Sequence, residues 1–333
     1  MTPSDAAFPA VCFGKLPSFG DFVRHNASGR ETLAMDDWLR QGMFHARTQL
    51  SGEWDRAFTS GPAHAFVFAP ESAGRFMVGH IRPSHDKSNR RYPFFISLLV
   101  DRARFGDDKA FLVPVVFREF LEAADGLVSK ALDGMEFPLL VEATERVRVP
   151  LALDLEAVSR RHETYLRETR LEQLFASTLG EGAGKRKYLL FKNLMEILVP
   201  LRRYGLSRFT MGLRFPAAGT DDEVAHQASF WVQLAARIAG AGGVQPVLFW
   251  TARGDAARSV LMFLRPPSAR YFLQLLRPDL PSDGICIPAE ERGRMLDGIE
   301  GLVSKRCRDM LEANTVTLAR ALEEVEELAR EVR

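Results

Sequence analysis

Short apolar runs recur along this chain, and groups of them are interleaved with stretches of helical periodicity. That interleaving limits the fold more than any other feature, because strands of different groups must find their sheet neighbours across an intervening helix. Val11-Cys12-Phe13, stopped by Gly14, reads as a first buried strand. Ala65–Phe68, Met77–Ile81 and Phe94–Val100 read as three more, punctuated by Gly74 and by the segment 83–90. Phe209, Met211, Leu213 and Phe215 alternate with period two, the cleanest strand signal in the chain. Val244–Trp250 and Ser259–Leu264 read as a hairpin. Between them, Leu33, Trp38, Leu39, Met43, Phe44 and Leu50 mark one helix, with Asp36 and Asp37 placed on its solvated side. Further helices are expected over 109–132 (closed by Gly134), from the Asp154 cap to about 178, over 188–203 and over 221–239. Phe137–Val141 and Arg146–Leu151 are expected to pair as strands. Leu311, Thr315, Leu318, Leu322, Val325, Ala329 and Val332 follow a 4-3 spacing, which predicts one long helix at the end of the chain. The expected class is mixed α/β, divided at 8–105, 106–288 and 289–333, with breaks near 106–108, 180–187 and 278–288.

The 333 residues are 46% hydrophobic, enough for a large core, and Lys+Arg 44 against Asp+Glu 43 leaves a net charge of +1. That balance excludes a globally basic nucleic-acid coat. Cys12, Cys286 and Cys307 form no C-x-x-C pair and read as buried thiols in a reducing compartment. The first ten residues lack the charged and apolar regions of a secretory signal, and no apolar stretch approaches a membrane span. A cytoplasmic protein is expected.

Enzyme motifs fail on spacing. Gly180–Lys185 has three residues before its Gly-Lys pair, where a P-loop has four, and Arg186 stands where Ser or Thr is needed. There is no G-x-S-x-G elbow. His80 and His85 do not have zinc-ligand spacing. Gly240–Gly243 follows a helix rather than a strand, so it is no dinucleotide fingerprint. Lys185-Arg186-Lys187 with Arg202 and Arg203 reads as a solvated helix face. No catalytic residue, metal or cofactor is assigned.

Two polar segments stand out. Phe13–Arg24 sets Lys15, Asp21 and Arg24 among Phe13, Phe19 and Phe22, with Gly14 and Gly20 as candidate positions for positive φ or close backbone approach. A carboxylate in such surroundings must be paired. Gly79–Phe94 joins two strands and carries Pro83, Ser84, Asp86, Arg90 and Tyr92. Asp21 or Asp86 is expected to meet the fork of Arg90.

These segments, G-K-L-P-x-x-G-D-F-V-R over 14–24, Asp37-Trp38-Leu39, and Pro83, Ser84, Asp86, Arg90, Tyr92 and Pro93, resemble the TagF/ImpM family of type VI secretion-associated proteins. Asn89 replaces a usual Gly, and Asn is the residue best able to keep a left-handed turn. Leu248–Thr251 and Leu264–Pro267 resemble two weaker blocks, with Arg265 in place of a Gly. The resemblance covers about 10–105. It implies a three-layer α/β/α sandwich and a cytoplasmic accessory of a contractile injection machine. It further implies repression after translation, with secretion components and a forkhead-associated-domain protein as partners. Lys15, Gly20, Asp21, Arg24, Pro83, Ser84, Asp86, Arg90 and Tyr92 are then loop-organising or interaction residues, with Asp21 and Arg90 favoured as the organising pair. The alternatives are a hydrolase with a metal on Asp21 and Asp86, and a scaffold that self-associates through the C-terminal helix. Neither nucleic-acid binding nor membrane insertion is expected.

Overall fold

Apart from the two expected over 137–151, the strands expected from apolar runs pair into one sheet. In the computed structural model, residues 7–331 are described, apart from 72–73, 107, 148, 181–182, 253–257 and 291–296. The sequence breaks at 107 and 181–182, the C-terminal helix over 291–296, and Val332 lie outside the described residues. The strands are β1 (Ala10–Gly14), β2 (Val23–His25), β3 (His64–Phe68), β4 (Arg75–Arg82), β5 (Phe94–Asp101), β6 (Gly212–Pro216), β7 (Val247–Thr251), β8 (Ser259–Phe263) and β9 (Ile285–Cys286). They form one nine-stranded sheet in the order β2-β1-β5-β4-β3-β7-β8-β6-β9. All neighbours are antiparallel except β6 and β9.

The helices are α1 (Arg30–Leu50), α2 (Trp54–Thr59), α3 (Val113–Val116), α4 (Arg118–Leu132), α5 (Phe137–Arg146), α6 (Leu155–Glu168), α7 (Leu171–Leu179) and α8 (Ala183–Tyr204). After them come α9 (Asp221–Ala239), α10 (Leu273–Leu276), α11 (Lys305–Glu312) and α12 (Leu318–Glu331). Helices lie on both faces of the sheet. On one face Trp38 of α1 stacks on Phe249 at 5.4 Å, meets Phe68 and Phe272, and donates its indole N–H to Pro267 O at 3.0 Å. On the other, Cys12 Sγ faces Thr144 of α5 at 3.7 Å, and Phe215 stacks on Trp231 of α9 at 4.7 Å. Burial pushes the Cys12 thiol up to about 12. It is therefore a packing thiol rather than a nucleophile.

The sheet hides an approximate two-fold. β3 is antiparallel to both β4 and β7, so those two run the same way. On one side lie β4, β5 and β1; on the other, in the same order outward, β7, β8 and β6. α1 follows β1 on one face and α9 follows β6 on the opposite face. An axis along β3 therefore relates the two halves, and it brings the loops after β1 and β6 to the same end of the sheet.

Four expectations fail for identifiable reasons. Phe137–Arg146 is helix α5, not a strand; Pro138 sits in its first turn, and Leu140 and Thr144, four apart, are the buried positions. The 146–151 run adds only an isolated bridge, Ala7 with Pro150. The helix from Asp154 ends at Glu168, and α7 begins anew at Leu171. The single C-terminal helix is two, α11 and α12, because the chain between them docks on the α6–α7 junction: Leu171 N–H donates to Val316 O and Leu318 N–H to Thr169 O, both at 2.9 Å. By contrast α9 has the expected bounds, with a Thr220–Glu223 capping box and Gly240 in the left-handed region (φ 64°).

A fragment ending at residue 147 would leave β3 without β7, and Trp38 without Phe249, Phe272 and Pro267. An exposed hydrophobic edge strand invites aggregation. We expect such a fragment to aggregate or to melt without cooperativity in circular dichroism and size exclusion. A monomer with a sharp transition would contradict the dependence of one half on the other.

Candidate functional site

The two polar segments meet at the end of the sheet where β1 stops and β4 turns into β5. Gly14 makes the meeting possible. Its φ is +134°, and a Cβ there would lie 2.1 Å from Pro93 O, so only glycine lets the loop 15–22 leave against the start of β5. Gly20 needs no such freedom. Its φ is not positive and the space around it is open; its part is played by its carbonyl.

Asp86 is the centre of the site. Its side chain is fully buried, and each carboxylate oxygen takes two donors. Oδ1 accepts from Ser88 N–H at 3.0 Å and Arg90 N–H at 2.9 Å. Oδ2 accepts from Lys15 Nζ at 2.9 Å and Arg90 Nε at 2.7 Å. Burial alone would push this carboxyl up. The Lys15 ammonium and the Arg90 backbone and side chain outweigh that and hold it well below the usual carboxylate range. The expected Asp21–Arg90 pair does not form. Asp21 is exposed and its Oδ1 accepts from the next residue, Phe22 N–H, at 2.8 Å. Asp86, one turn before Arg90, is already inside the turn that Arg90 closes.

From Asp86 the ties spread to both loops. Arg90 Nη2 donates to Gly20 O at 2.6 Å, Ser84 Oγ to Lys15 O at 2.6 Å, and Lys87 N–H to Phe19 O at 2.7 Å. Tyr92 N–H donates to Ser84 O at 3.0 Å. Asn89 has φ 61°, the left-handed turn foreseen for it. Pro83 borders a small cavity with Pro93, His64 and Leu275, where it packs rather than recognises. Rings complete the assembly: Phe22 lies 4.8 Å from Tyr92 and 5.5 Å from Phe13. Lys15 Nζ sits 5.2 Å from the Phe22 ring, and the Arg24 guanidinium 5.5 and 5.8 Å from Phe13 and Phe22.

One member of the site was assigned elsewhere by periodicity. Asp36, expected on the solvated side of α1, is buried; it accepts from Tyr92 OH at 2.6 Å and from Arg40 Nη2 at 2.6 Å. Burial, then the Asp36 contact, drives the Tyr92 hydroxyl far above its ordinary value, so it acts only as a donor. Its position one residue before Asp37-Trp38-Leu39 was the available signal.

The geometry leaves no room for a metal between Asp21 and Asp86, because all four acceptor positions of Asp86 are filled, two of them by cations. Two other polar features lie away from these loops. His80, buried and without a hydrogen bond of its own among the described residues, faces Asp125 Oδ1 at 3.4 Å across a cavity of about 50 Å³. Burial and Arg82 lower its pKa to about 3. His162 and His226 stack with their Nδ1 atoms 2.8 Å apart, and burial keeps both neutral.

Residues 11–147 match the family model described as "TagF N-terminal domain, Type VI secretion system-associated". They belong to that family. The TagF segment contains every residue of the site, from Lys15 to Tyr92. No curated protein matches the chain in sequence. Among solved structures, PA0076 from Pseudomonas aeruginosa PAO1 is similar at 18% identity and a TM-score of 0.48, over 82% of this chain and 96% of that one.

Two outcomes test the TagF loops. Tyr92→Phe leaves Asp36 without its buried donor and should cost about 1–3 kcal/mol in chemical denaturation. Asp86 has a folded pKa below its unfolded value of about 3.9, so its contribution is complete above that range and is lost as pH falls through it. Wild type should therefore exceed Asp86→Asn in stability at pH 7, and the gap should begin to narrow only below about pH 4 and keep narrowing as the pH falls toward the depressed folded value. A gap independent of pH would show that the Asp86 charge does not matter.

Proposed function

We propose that this protein is a regulator of type VI secretion that acts after translation, by binding a component of the apparatus, and that represses it. The coarse part of this reading rests on the TagF segment at 11–147. The finer part is carried by one observation: the motif residues are used up in building a rigid surface. Lys15, Ser84, Asp86, Arg90 and Tyr92 bond to one another or to the loop backbones, and none is left poised as nucleophile, base or metal ligand. The surface they shape carries Arg24, Lys87, Ser88, Asn89 and Arg90, all exposed. A forkhead-associated-domain protein of the system is the candidate partner, and the cytoplasm the compartment. No helix among the described residues is long and apolar enough to cross a membrane.

The two alternatives lose their supporting features. The hydrolase needed Asp21 and Asp86 on one metal, and Asp86 is filled. The scaffold needed an open helical seam. Leu318, Leu322, Val325 and Ala329 are instead buried against the chain's own α6, α9 and α11.

Deleting the gene in its host should raise secretion of the injection-tube protein, and restoring it should lower secretion again. Loss of secretion on deletion would contradict repression and make the protein a required assembly factor.

A further inference from the structure

The two-fold along β3 places a second loop cluster at the same end of the sheet, and among the described residues the two differ in their exposed charges. In the C-terminal half Arg258 holds Gly219 O at 2.8 Å and pairs with Asp221. This repeats the way Arg90 holds Gly20 O and pairs with Asp86. Around Arg258 the exposed charged side chains of the turn before α9 are acidic, Asp222 and Glu223. Around Arg90 they are mostly basic.

Two of the three basic side chains, Arg24 and Arg90, are also held in place. Arg24 and Lys87 have no carboxylate partner among the described residues, so their charges are not neutralised by the chain itself. Arg24 lies over two aromatic rings that fix its plane. Arg90 is 59% exposed, yet its Nε and Nη2 are tied to Asp86 and Gly20 O. The backbone of Lys87 is tied to Phe19 O through its N–H, which sets where its exposed side chain leaves the turn. Asp21 is the one exposed acid of these loops, and Phe22 N–H occupies its Oδ1. The guanidinium groups of Arg24 and Arg90, fixed in this way, lose little conformational entropy on binding, which favours affinity for an anionic ligand.

We infer that the surface formed by Arg24, Lys87 and Arg90 takes a carboxylate-rich segment of a protein partner. This rests on the loops being the docking surface proposed above, and it specifies the chemistry of what docks there. Arg90 and Arg24 offer guanidinium edges for carboxylates, and Lys87 a point charge between the strand ends.

The test uses the full chain and a fluorescently labelled decaglutamate peptide, read by anisotropy at low and at physiological salt. Lys87→Glu, at an exposed position without an ion pair among the described residues, should keep the wild-type melting temperature, Arg24→Glu should lower it slightly by giving up two ring contacts while remaining folded, and each should weaken binding about tenfold. Lys305→Glu, an exposed and unpaired position on α11, changes the net charge equally and should leave binding within about twofold of wild type. Absence of peptide binding by the wild type would overturn the inference, as would equal weakening by Lys305→Glu. Secretion in the host separates this inference from the reading beneath it. If Arg24→Glu and Lys87→Glu relieve repression although the peptide never binds, the docking surface stands and the acidic partner falls. If they change neither binding nor secretion, both fall.

Discussion

A carboxylate with no exposure to water, bonded to two cations and two backbone amides, holds this end of the molecule together. Taking Asp86 and Lys15 out of water is expensive, and such a pair rarely adds net stability over a well-packed apolar substitute. What it supplies is geometry. Asp86 requires its four donors at once, and those donors come from Lys15 in the loop after β1 and from Ser88 and Arg90 in the turn after β4. Satisfying the carboxylate therefore fixes one loop against the other, and Arg90, Ser84 and Lys87 extend the weld by bonding to Gly20, Lys15 and Phe19. The rings of Phe13, Phe22 and Tyr92 fill the space beneath.

The sheet provides the frame for that weld. β3 sits on the axis between two similar halves, and its two neighbours run in the same direction. The matched TagF segment supplies β1 to β5, and the rest of the chain supplies β6 to β9 to the same sheet. The halves share Trp38, which reaches across to Phe249, Phe272 and Pro267. Burial on this scale couples the N-terminal loops to a C-terminal half in which Arg258 holds Gly219 O and Asp221 as Arg90 holds Gly20 O and Asp86.

Much of this was legible in the residues. Apolar runs located most of the strands, the helix expected over 221–239 matches α9, and the charged residues set among the rings of 13–24 and in the link 79–94 singled out the right loops. The misreadings share a cause: local pattern does not encode what lies across the fold. Asp21 and Asp86 look alike in sequence, and only the turn geometry puts Asp86 inside. Asp36 falls on the polar side of a helical wheel, but Tyr92 comes down on it from another strand. The 4-3 stripe from Leu311 to Ala329 continues through Thr315, yet backbone bonds from the α6–α7 junction interrupt the helix there. The apolar run at Phe137–Val141 was too short for periodicity alone to separate strand from helix.

Hydrogen exchange at the amides of Lys87, Ser88 and Arg90 tests the central claim most directly. These N–H groups bond to Phe19 O and to the Asp86 carboxylate, and they sit in an otherwise exposed turn. The weld predicts slow exchange in the wild type. It also predicts a large acceleration confined to this turn and the loop 15–22 in Asp86→Asn, with β4 and β5 still protected. Unchanged exchange at these amides in the variant would mean that the buried carboxylate does not hold the loops together.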